Sequence, residues 1–324
     1  MKIFRGAAAF AAARPPEAPR TAVAIGNFDG VHLGHQALIA EARARARAPD
    51  TAVALTFMPH PARLFAPAKA PPLIMPLDRR LALLAEAGAD VAVVQPFTRA
   101  FAAIEAQDFV ADVLVRDLGA ADVIVGYDFT FGRGRGGNVQ RLQEWGAGLG
   151  VAVAVIPAVN VDGAPCSSTR VRALVAAGEM RRAAALLGRA FEVEGVVVRG
   201  AARGRTLGFP TANLAPETEL APRLGIYAAR AQICDDDCDD ESEDHTVGPA
   251  FLAAVSIGRN PTFEADGAPV TVESHLLDFA GDLYGRRLRL ELVEWLRDEQ
   301  RFASVDALVA QIAADVARVR ALMS

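Results

Sequence analysis

Histidine is scarce in this chain of 324 residues: it has five. Two of them, His32 and His35, stand three apart in "AIGNFDGVHLGHQALI", where a short apolar run meets a segment of helical period. A strand leading to Gly26, a turn through Gly30 and a helix entered near Leu33 put both imidazoles on one face of the first helical turn. Backbone N–H groups at a helix start lack intrahelical partners and attract anions. Two imidazoles there can donate hydrogen bonds to a phosphate whose negative charge grows during transfer. Gly34, without a side chain, lets a ligand approach the backbone closely. Taken alone, H-x-x-H also fits surface or capping histidines. It fits a catalytic zinc poorly, because three ligands are wanted and no third of clear spacing accompanies the pair. Asp29 suits either the orientation of the turn or the holding of a magnesium ion.

A second chemical cluster lies in "VESHLLDF". Glu273 and His275 are two apart on a strand-like run and share one face with Leu277 and Phe279. A carboxylate pointing inward from an apolar strand face marks a site, whereas an outward polar pair on an edge strand is the competing reading. Phosphate-handling residues recur elsewhere. In "SSTRVR", Ser167, Ser168 and Thr169 can cap a helix while Arg170 and Arg172 supply charge to a triphosphate. Arg199, Arg203 and Arg205 stand among glycines before Pro210, Thr211, Ala212 and Asn213 and can neutralise phosphates, or line a solvated loop. "GYDFTFGRGRGGN" offers Tyr127, Asp128 and Phe129 in a glycine-rich loop, and the role of Asp128 stays open.

Composition narrows the classes. Hydrophobic residues make up 52% of the chain, yet no apolar run approaches a membrane span of about 18 residues. In the first twenty residues Arg5, Arg14, Pro15 and Pro16 leave too short an apolar region for a secretory signal. Cys166, Cys234 and Cys238 form no even framework and fit a reducing, cytoplasmic setting. Lys2 and Lys69 are the only lysines, so no Walker-type loop can be built and a Schiff-base lysine is not expected. The net charge of −5 is local, since 235–244 carries eight acidic side chains. That run predicts a solvated hairpin tip rather than a metal site on Cys234, Cys238 and His245. No basic stripe interleaved with aromatic residues appears, so nucleic acid is not an expected partner.

Two rhythms position these residues. Up to about Val159, the strand-like runs "TAVAIGN", "TAVALTF", "DVAVVQPF", "DVIVGYDF" and "VAVAVIP" alternate with helix-period segments, which predicts a parallel sheet with helices on both faces. "STRVRALVAAGEMRRAAALLGR" reads as two short helices. Five strand-like runs then follow without helices between them, predicting an antiparallel barrel or sandwich. The chain closes with a helix capped by Ser304, whose face is Val305, Leu308, Val309, Ile312, Val316 and Val319. Two domains are expected, 1–187 and 188–324.

The string G-x-F-D-G-x-H-x-G-H at a strand-to-helix junction resembles the signature of nucleotidyltransferases that move AMP or CMP to a phosphate ester. With "GYDFTFGRGRGGN", "SSTRVR" and "GRTLGFPTANL" in order, followed by "GIYAAR", "SIGRNPTF", "VESHLLDF" and "GDLYGRRLRL", the chain resembles bifunctional prokaryotic riboflavin kinase/FAD synthetases over essentially its whole length. The resemblance implies an α/β protein with a Rossmann-like nucleotidyltransferase domain and a riboflavin kinase barrel. It implies phosphorylation of riboflavin to FMN, then adenylylation of FMN to FAD, with ATP as co-substrate and Mg2+ as cofactor. Gly26, Phe28, Asp29, Gly34, Ser168, Thr169, Arg170 and Arg172 would bind ATP for adenylylation, with His32 and His35 catalytic. Tyr127, Asp128 and Phe129 would lie on the FMN or nucleotide side. Thr211 and Asn213 would hold ATP and Mg2+ for the kinase together with Arg205, and Glu273 would be the base on the ribityl hydroxyl.

The alternatives are another adenylyl- or cytidylyltransferase with a regulatory barrel, and a flavin-binding regulator without catalysis. The small-molecule partners are ATP, riboflavin and FMN. Neither membrane nor nucleic acid is expected, and oligomeric state is not readable from these patterns.

Overall fold

In the computed structural model, which describes residues 1–15, 17–200, 207–234, 249–259 and 270–323, the first strand is one that the apolar pattern did not announce: β1 (Lys2–Phe4). The five anticipated runs follow as β2 (Thr21–Ile25), β3 (Thr51–Met58), β4 (Val91–Pro96), β5 (Ala120–Gly126) and, after the short hairpin β6 (Thr130–Phe131) and β7 (Gly137–Asn138), β8 (Ala152–Ile156). β1 to β5 and β8 form one parallel sheet in the order β1-β4-β3-β2-β5-β8. Every residue of β2 is buried, as expected for a strand covered on both faces. Because β3 lies on one side of β2 and β5 on the other, the carboxyl end of β2 is the switch point at which open α/β sheets bind ligands.

The helices of this unit are α1 (Ala7–Ala13), α2 (Leu33–Arg45), α3 (Pro61–Phe65), α4 (Leu77–Glu86), α5 (Arg99–Ala102), α6 (Ala106–Asp108) and α7 (Val139–Gly148). α6 runs directly into Phe109–Asp117, which is wound as a π-helix. Its buried Phe109, Val113 and Leu118 are spaced four and five apart. The wider turn keeps all three on the sheet-facing side. A small hairpin, β9 (Asn160–Val161) with β10 (Ala164–Pro165), closes the unit.

The described chain forms two compact units, Met1–Pro72 with Leu77–Ser167 and Leu73–Pro76 with Ser168–Ser324. The second begins with the two anticipated helices, α8 (Ser168–Ala177) and α9 (Met180–Leu187), the latter packed on β11 (Phe191–Val198) and on β16 (Arg287–Arg297). With β12 (Ala212–Pro216), β13 (Gly225–Cys234), β14 (Ala250–Arg259) and β15 (Val270–Leu276), these strands close an antiparallel barrel in the order β11-β12-β15-β14-β13-β16. Closure leaves no edge strand, so the edge-strand reading of Glu273 and His275 falls.

The last helix, α10 (Val305–Met323), is capped by the Ser304 hydroxyl, which accepts from the Ala307 N–H at 3.2 Å. Its predicted apolar face holds from Leu308 to Val319, with one correction: Val305 is 60% exposed. It belongs to the first turn, where only part of the helix surface is covered. The face also contains an unanticipated buried carboxylate, Asp315, which accepts from Arg297 Nε at 3.0 Å and Nη2 at 2.6 Å and from Gln311 at 3.0 Å. Removing one partner of such a buried pair costs about 3–5 kcal/mol. Among the described residues no helix is long and apolar enough to cross a membrane.

Candidate active sites

β2 hands the chain to a turn with unusual backbone geometry. Phe28 and Val31 have φ of 49° and 38°, and Gly30 lies between them at 91°. A non-glycine residue in this region costs on the order of 1–3 kcal/mol, and a β-branched valine is especially disfavoured there. The turn persists because its surroundings over-determine it. The Asn27 carbonyl accepts from the Thr56 hydroxyl at 3.1 Å and from Arg80 Nη1 at 3.2 Å. Arg80 Nη2 lies 3.7 Å from the Asp29 carboxylate, both side chains being 1% exposed. The Val31 carbonyl accepts from Gln36 at 2.9 Å.

The turn delivers the two histidines as a pair. His32 is the N-cap of α2, its Nδ1 accepting from the His35 N–H at 3.3 Å. An accepting Nδ1 places the proton of neutral His32 on Nε2, which makes that nitrogen a donor. The two rings stack with centroids 3.6 Å apart and planes 16° apart, and Phe28 meets His35 edge-on at 5.3 Å. Burial, then His32, then Arg80 hold the His35 imidazole well below the usual histidine range. Its Nδ1 is buried with no hydrogen-bond partner among the described residues, an unmet polar atom that a ligand can satisfy.

Three sequence expectations change here. The space over Gly34 is taken by protein: a Cβ would stand 3.1 Å from His32 Cε1 and 3.2 Å from its Nδ1. Glycine at 34 therefore admits the His32 ring rather than a ligand. Phe28 is 0% exposed and Asp29 1%. Neither residue therefore offers surface to a ligand, and of the two roles open to Asp29 the ion pair with Arg80 supports orientation of the turn.

Farther along the carboxyl edge of the sheet, Phe57 from β3 meets Phe97 at 5.7 Å, and Phe97 meets Phe65 at 6.1 Å and Phe101 at 5.8 Å. Phe65 is 70% exposed, an open aromatic face at the carboxyl edge by β3 and β4. Sequence reading passed over these rings because four isolated phenylalanines have no common spacing. Tyr127 is 53% exposed and Asp128 is exposed, whereas Phe129 stacks on Phe131 at 5.3 Å and joins the core. Arg80 was missed as well, although it occupies an apolar-face position three residues after Leu77 and four before Leu84.

In the second unit, Ser168, Thr169, Arg170 and Arg172 lie among the first five residues of α8, with Thr169 exposed. On the barrel, Asn213 of β12 stands directly opposite Glu273 of β15, and Ser256 of β14 flanks Glu273 on the other side. The inward expectation for Glu273 is corrected. Val272, Ser274 and Leu276 are the buried face of β15, and Glu273 projects outward and exposed, beside Asn213. Thr211 is half-buried just before β12. His275 is tied down, its Nδ1 2.8 Å from the Pro210 carbonyl and its ring edge-on to Phe209 at 5.5 Å.

A carboxylate not anticipated joins this face. A Cβ on Gly258 would meet Glu299 Oε1 at 2.3 Å, so the Glu299 side chain lies over that backbone. Burial and the nearby Glu273 raise its carboxyl above the usual range, partly offset by Arg297. Arg199 sits over the Tyr284 ring at 5.7 Å. Arg203, Arg205 and 235–248 lie outside the described residues. Among those described, no group of three histidine, cysteine or carboxylate side chains is placed to hold a metal ion.

Comparison with known proteins covers both halves of the chain. A family model described as FAD synthetase matches residues 14–170, and one described as riboflavin kinase matches 187–323. The chain is 40% identical over 293 residues to the bifunctional riboflavin kinase/FMN adenylyltransferase of Escherichia coli K12, covering 90% of this chain and 89% of that one. It is 39% identical over 310 residues to the Pseudomonas fluorescens protein of the same description, covering 95% and 94%. A solved structure from Streptococcus pneumoniae, described as a macrolide-efflux protein, matches 98% of each chain with a TM-score of 0.81 at 29% identity. The fold is thus shared end to end, while both family models and both curated relatives name the same two flavin enzymes. The chain belongs to the bifunctional riboflavin kinase/FMN adenylyltransferase family, an FAD synthetase domain followed by a riboflavin kinase domain.

Proposed function

We propose that riboflavin is phosphorylated on the outer face of β12 and β15, and that AMP is joined to the resulting FMN at the carboxyl end of β2. The first step gives FMN and ADP, the second FAD and pyrophosphate. The observation that carries the adenylylation reading is the stacked His32–His35 pair at the switch point, with an unsatisfied buried nitrogen at a helix start. Donation from His32 Nε2–H and from His35 stabilises the phosphate oxygens as charge builds during AMP transfer. The open aromatic face at Phe65 and Phe97 offers a stacking surface for the flavin ring, with Tyr127 and Asp128 as further ligands on that side. Gly26 belongs to the nucleotide-facing turn, and Ser168, Thr169, Arg170 and Arg172 are assigned to the triphosphate on their motif alone.

In the kinase, Glu273 takes the proton of the ribityl hydroxyl as it attacks the terminal phosphate of ATP. The donor set beside it, the Thr211 hydroxyl, the Asn213 side-chain carbonyl and the Glu273 carboxylate, is the hard-oxygen type that magnesium prefers. Thr211 and Asn213 would hold Mg2+ with ATP, and the ion would neutralise phosphate charge during transfer. Arg205 is assigned to the same ATP.

The functional boundary is placed at 187/188, where α9 gives way to β11. Packing divides the chain earlier, but the α8 motif belongs with adenylylation. The reducing setting implied by three unframed cysteines makes a cytoplasmic enzyme with small-molecule partners the reading adopted. The test is incubation of the pure protein with riboflavin, ATP and magnesium, followed by chromatographic separation of flavins. FMN followed by FAD is expected. FMN alone would sink the adenylylation assignment, and no flavin product would sink both.

A further inference from the structure

Arg80 is the buried cation that neither the motif nor the mechanism above uses. It projects from α4, one of the largest fully buried side chains, and reaches the turn at two points. Nη1 donates to the Asn27 carbonyl at 3.2 Å, and Nη2 stands 3.7 Å from Asp29 Oδ1. Those contacts bracket Phe28, the first left-handed residue of the turn. Stored strain persists only where surroundings over-determine it, and a planar guanidinium fork does that where a flexible ammonium does so less well. We infer that Arg80 is the positioning residue of the adenylyl-transfer site, a buried cation that clamps the turn at 27–31 and keeps the stacked His35 neutral.

The second half of the statement follows from the stack. Two imidazoles with centroids 3.6 Å apart repel if both are protonated, and a third positive charge nearby disfavours protonation further. The charged and titratable groups acting on His35 are His32 and Arg80, after the effect of burial itself. Asp29 in turn offsets part of the Arg80 charge. An imidazole kept neutral to lower pH retains one N–H donor and one acceptor over a wider pH range. The inference rests on the assignment of the histidine pair to adenylylation.

The test uses the full-length chain, measuring FMN-to-FAD conversion against pH, with riboflavin-to-FMN conversion as an internal control. Arg80→Gln removes the charge and should lower kcat about thirtyfold or more with the KM for ATP within a few-fold, as expected when binding is kept and orientation lost. Its acid limb should move to higher pH, because loss of the cation lets the His35 pKa rise. Asp29→Asn leaves the cation uncompensated, so its acid limb should move to lower pH. General damage to the turn would not shift the two in opposite directions. Arg80→Lys keeps the charge without the fork, and should hold the parental pH profile with a kcat loss of no more than about tenfold. If Arg80→Gln does not fold, the Asp29→Asn and Arg80→Lys profiles decide. An acid limb moving upward or not at all in Asp29→Asn would overturn the inference, as would parental rates and profile in Arg80→Gln. His35→Ala in the same series separates the two claims. Full FAD formation there removes the site assignment itself, whereas a dead His35→Ala beside an unaffected Arg80→Gln removes only the role of Arg80.

Discussion

The histidine turn and the Glu273 face, the two sites proposed for phosphate transfer, have opposite architectures. The turn is strained, buried and held from behind by Thr56 and by Arg80, which reaches Asn27 and Asp29. Its reactive atoms come from a helix start, where a small backbone shift re-aims both rings. The Glu273 face is made of outward side chains on two hydrogen-bonded strands of a closed barrel, whose spacing the ladder fixes. The first site is therefore sensitive to residues that never touch substrate, and the second chiefly to those that do.

Substitutions at the reacting groups should show the largest effects. Glu273→Gln keeps side-chain size but cannot take the proton, so FMN formation should fall by about a hundredfold to ten-thousandfold, the usual range for general acid-base help. Supplied FMN should still become FAD, read by chromatography. His35→Ala should lower FAD formation by about a hundredfold or more while riboflavin phosphorylation continues.

Gly34→Ala tests sensitivity at a distance. Alanine favours the helix by about 1 kcal/mol, but its Cβ crowds the His32 ring. The melting temperature should stay near the parental value while FAD formation drops by roughly tenfold to a hundredfold, since misplacement of a catalytic group by an ångström is that costly. A matching substitution on the barrel face has no such buried clamp to disturb. Phe65→Ala, at an exposed ring, should raise the KM for FMN a few-fold and leave thermal unfolding unchanged. The smallest effect belongs to the acidic run. Replacing 234–246 with a short glycine-containing turn should leave both activities and the melting temperature nearly as they were, and a large loss of kinase activity would show that the run is part of the site.

The contrast also explains what the sequence made legible. Strands buried on both faces read as continuous apolar runs, so five of the six parallel strands and both barrel-side helices were anticipated. β1 escaped because three residues on a sheet edge carry no period. The histidines were visible as rare residues at a junction of two periods. Arg80 was not, because an arginine in a helix ordinarily snorkels to solvent and only the fold shows what lies above it. The orientation of Glu273 was missed because alternation gives two faces without saying which is inside. Barrel closure and the buried Val272, Ser274 and Leu276 decide it.

The central claim, two separable sites working in sequence, has a direct test in mixing. Glu273→Gln and His35→Ala are each supplied with riboflavin, ATP and magnesium, alone and then together, and FAD is measured over time. Alone, the first should make little of either product and the second should stop at FMN. Together they should form FAD, since each supplies the site the other lacks. FAD produced by His35→Ala alone at the parental rate, or a mixture that still stops at FMN, would contradict the account.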